Sequence, residues 1–167
     1  NRFRRLNNAI QKSELSNDYD FILIDTPPST TDIAAAGLHA AQYIIIPSQM
    51  EYLSVYGIRS VIRNLRELSE EWGGKRGMIL GVVPTMTDNR TNLSSTIKDL
   101  VRRTFPGIQL LPEIKRTTYI GQASYKRQPV TLFAEDSPKA GATAKQFTKL
   151  ARNLLAEIEK IELTTGV

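Results

Sequence analysis

Asp18-Tyr19-Asp20-Phe21-Ile22-Leu23-Ile24-Asp25-Thr26-Pro27-Pro28-Ser29 is the stretch on which the reading of the fold turns. Four consecutive apolar residues, Phe21 to Ile24, are closed by an aspartate and then by two prolines. A run that is apolar on both faces suits a central strand of a parallel sheet, covered by helices on each side. A carboxylate at the end of such a strand can reach Mg²⁺ or its waters beside a triphosphate, while the strand holds it in place. Many parallel strands end in aspartate, so the run does not decide the chemistry. Pro27 and Pro28 add to it: they remove two amide donors and stiffen the turn that follows.

Outward from this run, strand-length apolar segments alternate with longer segments of helical period. Residues 1–15 read as a helix with a basic start (Arg2, Arg4, Arg5). Residues 32–41 form an alanine-rich helix with Thr31 or Asp32 as cap. Tyr43 to Pro47 reads as a second buried strand. Leu53 to Trp72 is a long amphipathic helix with Ile58, Val61, Ile62, Leu65 and Leu68 on one face, ended by Gly73-Gly74. Met78 to Val83 is a third buried strand, and Asn92 to Phe105 a further amphipathic helix. Gln109 to Leu111 reads as a short strand, followed by a polar, basic stretch to Pro129. Ser137 to Glu162 holds the last helix, with Phe147, Leu150, Ala151, Leu154, Leu155, Ile158 and Ile161 facing inward. Strands separated by helices at this spacing imply right-handed βαβ units on a mostly parallel sheet, a three-layer α/β/α fold. The 167 residues fit one domain, spanning 1–167.

Composition narrows the chemistry. There is no cysteine and one histidine, which excludes disulfides, thiolate chemistry and a multi-histidine metal site. No apolar run approaches the ~20 residues of a membrane span, and no secretory signal is visible, so the expectation is a cytoplasmic protein. The balance of 22 Lys and Arg against 17 Asp and Glu gives a net charge of +5, which favours an anionic partner. His39 and Trp72 read as structural, Trp72 as a packing anchor at the end of its helix.

In open parallel sheets, ligands sit beyond the carboxyl ends of the strands. The segments to inspect are therefore 25–29, 47–51, 84–90 and 112–116. Ile22-Leu23-Ile24-Asp25 followed by Thr26-Pro27-Pro28-Ser29 closely resembles the Walker B and switch II signature of the ParA, Soj and MinD partition ATPases. Ile46-Pro47-Ser48-Gln49-Met50-Glu51-Tyr52, with Gly57 after it, is similar to that family's next strand-to-helix segment. Gly81-Val82-Val83-Pro84-Thr85-Met86-Thr87-Asp88 resembles its following strand and the loop near the adenine. Leu111-Pro112-Glu113, Gln128-Pro129-Val130 and Asp136-Ser137-Pro138-Lys139-Ala140-Gly141-Ala142 match its later order. The plasmid-type ParA branch is the nearer resemblance.

The resemblance implies a P-loop NTPase-like fold and an ATP-dependent switch that partitions plasmid or chromosome DNA. Asp25 would be the catalytic acid that orients magnesium and its water. Thr26, Pro27 and Pro28 would form the switch beside the nucleotide. Thr85, Met86 and Asp88, with Pro112 and Glu113, would form the base end. Glu51 would support the switch by hydrogen bonding or serve as an acid at a helix start. Family members carry a glycine-rich K-G-G-x-x-K-T loop some ninety residues before this acid. Here 17 residues precede Asp18 and none form such a loop. Gly73-Gly74-Lys75 lies between a helix and a strand, the wrong order for a phosphate cradle. The expectation is a carboxyl-terminal portion of a ParA-type ATPase, without ATP turnover of its own, whose parent uses ATP and Mg²⁺.

Basic residues concentrate late in the chain: Arg102, Arg103, Lys115, Arg116, Lys126 and Arg127, then Lys145, Lys149 and Arg152 along the last helix. Such a stripe is ordinarily a solvated face. The resemblance implies sequence-indifferent DNA contact by an ATP-bound homodimer, nucleoid association, and a ParB-like partner that stimulates hydrolysis. Phosphate neutralisation needs charge more than a reading helix. Two alternatives stay open: a shortened homologue acting as a non-catalytic binding module, and a MinD-like membrane-associated regulator.

Overall fold

A computed structural model describes residues 3–27, 31–73, 77–88 and 92–165. Eight helices and three strands follow one another among them. They are α1 (Arg4–Lys12), α2 (Leu15–Asp18), α3 (Asp32–Ala40), β1 (Tyr43–Gln49), α4 (Ser54–Glu71), β2 (Met78–Thr87) and α5 (Leu93–Thr104), then β3 (Ile114–Lys115), α6 (Tyr119–Tyr125), α7 (Val130–Asp136) and α8 (Gly141–Thr165). The strand order in the sheet is β1-β2-β3, with β2 and β3 parallel. This is the α/β class expected from the alternation of strand and helix signals. None of the described helices is long and apolar enough to cross a membrane.

The chain gathers into two compact units, Asn1–Ile44 with Arg59–Ile79, and Ile45–Ile58 with Leu80–Val167. In the first, α1 lies against α3, and Trp72 is buried at 5% exposure. The Trp72 ring meets His39 edge-on at 4.7 Å and stands 6.3 Å from Phe3. Trp72 is the packing anchor that its place at a helix end suggested, fixed by aromatic contacts from two directions. Gly73 follows in the left-handed region (φ 75°), where glycine carries no Cβ penalty, and α4 stops there.

In the second unit the core forms where β2 and β3 meet α8. Val83, Leu111 and Ile114 are buried, with Phe147, Leu150 and Leu154 of α8 packed over them. A second cluster of Ala123, Val130, Phe133 and Ala140 also packs against Phe147. Phe147 therefore joins the sheet core to the α6–α7 hairpin, and its helical spacing to Leu150 and Leu154 puts one face of α8 to both uses.

Several expectations need correction; among them, Ala151 and Leu155 of α8, expected to face inward, are exposed. Phe21 to Ile24 forms no strand: the segment from Tyr19 to Pro27 has no regular secondary structure, with Leu23 at 93% exposure. A parallel strand is held by its neighbours' amides and carbonyls, and among the described residues no strand pairs with this segment. Gln109 to Leu111 is reduced to a single bridge, Val82 to Leu110, and the pairing resumes as β3 beyond Pro112, which has no amide to give to a ladder. The polar stretch before Pro129 is partly helical. Tyr119, Ala123, Val130 and Phe133, too sparse to show a period over short helices, are what α6 and α7 bury or half-bury. In addition, β1 buries one face only: Ile44 and Ile46 are buried while Ile45 is exposed.

Gly81 marks the closest approach in the sheet. A Cβ there would stand 2.6 Å from the Gln109 carbonyl oxygen and 2.9 Å from Leu111 Cγ. The strands must separate to admit a methyl group. Gly81→Ala is expected to cost about 1–3 kcal/mol, read as a lower midpoint in urea unfolding with an unchanged slope.

Candidate functional site

The acid end belongs to the first unit. Gly37 of α3 lets the preceding segment lie close: a Cβ on it would be 3.1 Å from Thr26 Cγ2 and 3.2 Å from Ile24 Cγ2. Ile24 and Thr26 therefore face the helix. In an extended chain the residue between them points the other way, and Asp25 is exposed, as are Thr26 and Pro27. Pro28 and Ser29 lie outside the described residues. No group of three or more acidic or histidine side chains suited to a metal occurs among the described residues. A single solvent-facing carboxylate is compatible with Mg²⁺, which keeps several waters and takes few protein ligands beside a nucleotide.

The residues expected at the base end belong to the second unit, where the sheet brings them together. Thr85 pairs with Ile114 and Thr87 with Lys115, so Met86 is one residue too many for its partner strand. It forms a bulge, with φ 51° and the residue 52% exposed. Bulges re-aim side chains and increase local twist. Across from it, Glu113 is tied to α5: Lys98 Nζ donates to Glu113 Oε2 at 2.8 Å. That hydrogen bond holds the Glu113 carboxyl below its ordinary value; partial burial opposes the shift, and the charge of Lys98, the Thr87 hydroxyl and the charge of Lys115 reinforce it. Thr87 Oγ1 is itself buried and has no partner at hydrogen-bond geometry, yet it lies near enough to Glu113 to favour the ionised form. Thr85 and Pro112 are half-buried, as is Asp88. Sequence reasoning missed Lys98, and it placed Thr87 inside the Thr85–Asp88 segment without foreseeing that its hydroxyl is buried. Lys98 reads as one more polar position on an amphipathic helix, and Thr87 as one more loop threonine; only the packing of α5 on the sheet gives them a role.

All nine basic residues singled out in the sequence are exposed. Lys115 and Arg116 come near α8, because the Lys115 amide donates to Gln146 Oε1 at 2.7 Å, and Gln146 sits between Lys145 and Lys149. Arg102 is paired with Asp99 at 2.7 Å, both side chains more than half exposed, a bridge of small energetic weight. Arg127 holds φ 55°. Its amide donates to Ser124 O, and the Gln128 amide to Ala123 O, the pair of bonds that closes a helix at a left-handed residue. An arginine occupies the place that glycine would take with less strain.

The Glu113 shift has a direction that can be measured. A carboxyl depressed by folding stabilises the native state fully above its ordinary value of 4.5, and the contribution is lost as the pH falls through the lower folded value. Wild type is expected to be more stable than Glu113→Gln at neutral pH, with the difference shrinking steadily on acidification below 4.5. A urea series at several pH values checks this; parallel curves for the two proteins would contradict it.

Comparisons with known proteins find relatives along most of the chain. A family model described as an AAA domain matches residues 1–76. The chain is 26% identical over 152 residues to the chromosome-partitioning ATPase Soj of Thermus thermophilus, spanning 91% of this chain and 59% of that protein. It is 30% identical over 152 residues to the chromosome partitioning protein ParA of Caulobacter vibrioides, spanning 91% of this chain and 55% of ParA. Among solved structures it resembles an ATP complex of a Cyanothece McdA variant, with a TM-score of 0.77 at 21% identity, over 92% of this chain and 57% of that one. The chain thus spans 55–59% of the length of these proteins. Homology along nine-tenths of the chain and the shared P-loop NTPase-like fold lead to one conclusion: the chain belongs to the ParA/Soj/MinD family.

Proposed function

We propose that this chain is the Walker B and DNA-facing part of an ATP-dependent partition ATPase, one that dimerises with ATP, binds DNA without regard to sequence, and is discharged by a ParB-like partner. The observation that carries this reading is the exposed Asp25, flanked by Ile24 and Thr26 that rest on Gly37, at the position where the family's signature puts its acid. Names of relatives support it: partition ATPases match along nearly the whole chain, and the McdA neighbour was solved with ATP. The plasmid-type branch, and a place in the cytoplasm at the nucleoid, belong to the same proposal.

In this reading Asp25 would hold Mg²⁺ and help orient its water. Magnesium, when bound, neutralises the phosphate oxygens and orients the transferring group. Thr26 and Pro27 follow directly, and the proline ring restricts how this turn can move. Thr85 to Asp88 with Pro112 and Glu113 take the base. Lys115, Arg116, Lys145, Lys149 and Arg152 supply exposed positive charge at the β3–α8 junction and along α8, and pairing two chains doubles the number of phosphates that can be reached. Nucleotide state then gates DNA affinity with no new charge appearing.

Two experiments use a longer protein in which this chain follows a K-G-G-x-x-K-T phosphate loop. Asp25→Ala is expected to lower stimulated ATP turnover at least ~100-fold with the circular-dichroism spectrum intact; near-normal turnover would remove Asp25 from the metal site. For DNA, a salt series on two unrelated duplexes compares wild type with Lys115→Ala/Arg116→Ala, both loaded with ATP. The double variant should bind both duplexes more weakly by the same factor, with the log–log salt slope flatter by ~0.9 for each phosphate no longer neutralised. Equal affinities and slopes would take these two residues off the DNA surface.

A further inference from the structure

Two faces of α6 are in use. Tyr119 and Ala123, one turn apart, join the core with Val130 and Phe133 of α7. Thr118, Gly121, Gln122 and Tyr125 recur at helical spacing on a second face. With Lys126 and Phe133 they line an open groove of about 390 Å³, a volume in the range that holds a ligand or an anchoring side chain. Phe133 is only 9% exposed, so the groove reaches down to the edge of the core. Gly121 is the residue that the fold itself does not call for. Its φ is not positive, and a Cβ built on it meets nothing within 4 Å. Neither strain nor packing demands glycine there, and in a helix interior glycine is less favourable than alanine. What the missing side chain does is keep the groove open. Tyr125 stands beside it at 87% exposure, and Lys126 makes no ion pair among the described residues.

We propose that this groove docks a short segment of a partner protein, one in which an aliphatic or aromatic side chain stands next to Asp or Glu. The argument is complementarity. No carboxylate lines the groove; its polar groups are the Lys126 ammonium, the Gln122 amide and the hydroxyls of Thr118 and Tyr125. All of these can donate to an acid. The bond from Gln122 Nε2 to Thr118 Oγ1 is long, 3.4 Å, so little is lost when either group turns to a ligand. An apolar side chain fits over Gly121, with Phe133 beneath it and the Tyr125 ring as a wall. A carboxylate one residue away then meets Lys126, and the charge-assisted bond fixes the direction of the segment. A phosphate backbone is satisfied by charge on an open surface; the hollow down to Phe133 serves an apolar side chain. The nucleotide and DNA roles proposed above use neither Gly121 nor Tyr125.

Blocked peptides test this on the isotope-labelled 167-residue chain, following the amides of Gly121, Gln122, Lys126 and Phe133. The probes are acetyl-Glu-Asp-Leu-Phe-Asp-Glu-amide, the same peptide with Ser-Ser in place of Leu-Phe, the same with lysine at every acidic place, and a short DNA duplex. The first is expected to bind about tenfold more tightly than either altered peptide, the usual weight of one buried large side chain or of one hydrogen bond to a charged group. Lys126→Gln should weaken it about tenfold. Gly121→Leu should abolish the shifts while the melting temperature stays equal or rises, because leucine favours the helix over glycine and the space is there. Gly121→Ala, measured alongside, should weaken binding in part and guards against a misfolded leucine variant. Undiminished binding by both Gly121 variants overturns the proposal, and so does equal binding of the lysine peptide. Shifts caused by the duplex and by none of the peptides give the groove to the DNA surface. Shifts that follow chain concentration with no peptide present give it to a second copy. Either result sinks the partner-segment assignment, as does the absence of any shift.

Discussion

Val82 is wholly buried and gives both of its backbone bonds to the segment across from it: its amide to the Gln109 carbonyl at 2.9 Å, its carbonyl to the Leu111 amide at 2.8 Å. In a buried place these two bonds have no water to replace them, so losing either costs the desolvation of a peptide group. Gly81 permits the approach, since a side chain there would collide with the Gln109 carbonyl. Once the two segments are locked, Val83, Leu111 and Ile114 present one apolar surface, and α8 settles on it through Phe147, Leu150 and Leu154.

The same lock sets the register at the end of the sheet. With Thr85 opposite Ile114 and Thr87 opposite Lys115, one residue has no place in the ladder, and Met86 is pushed into the bulge. Glu113 is carried to within reach of Lys98, and the Arg116 amide finds the Thr87 carbonyl at 3.0 Å. The rim on which ligands of parallel sheets sit is in this way built by backbone pairing deeper in the strand. The charged surface depends on it too, because the Lys115 amide is bound by Gln146 of α8, bringing the charges of β3 alongside those of the last helix.

The first unit shows how strongly strand formation depends on partners. Phe21 to Ile24 has the composition of a central strand, yet it is irregular and largely exposed. Apolar content favours burial but does not specify it; a strand exists only when a neighbour supplies donors and acceptors in register. The anchoring that does occur is local, through Gly37 against Ile24 and Thr26, and it suffices to leave Asp25 on the open side.

The sequence by itself determined the α/β class, the places of β1 and β2, and the long helices α4, α5 and α8. Each of these rests on local signals: a helical apolar period over many residues, a continuous apolar run, a glycine or proline at a boundary. It determined the family as well, since motifs such as Ile24-Asp25-Thr26-Pro27 are contiguous in the chain. The exposure of the nine basic residues followed from their polar surroundings. Tertiary structure decided what depends on residues distant in sequence. Lys98 meets Glu113, the Thr87 hydroxyl is buried without a partner and Met86 becomes a bulge only once β2, β3 and α5 have packed. The fate of Phe21 to Ile24 was likewise outside the reach of composition, because hydrogen-bonded neighbours make a strand, and periodicity carries no information about which neighbours are there.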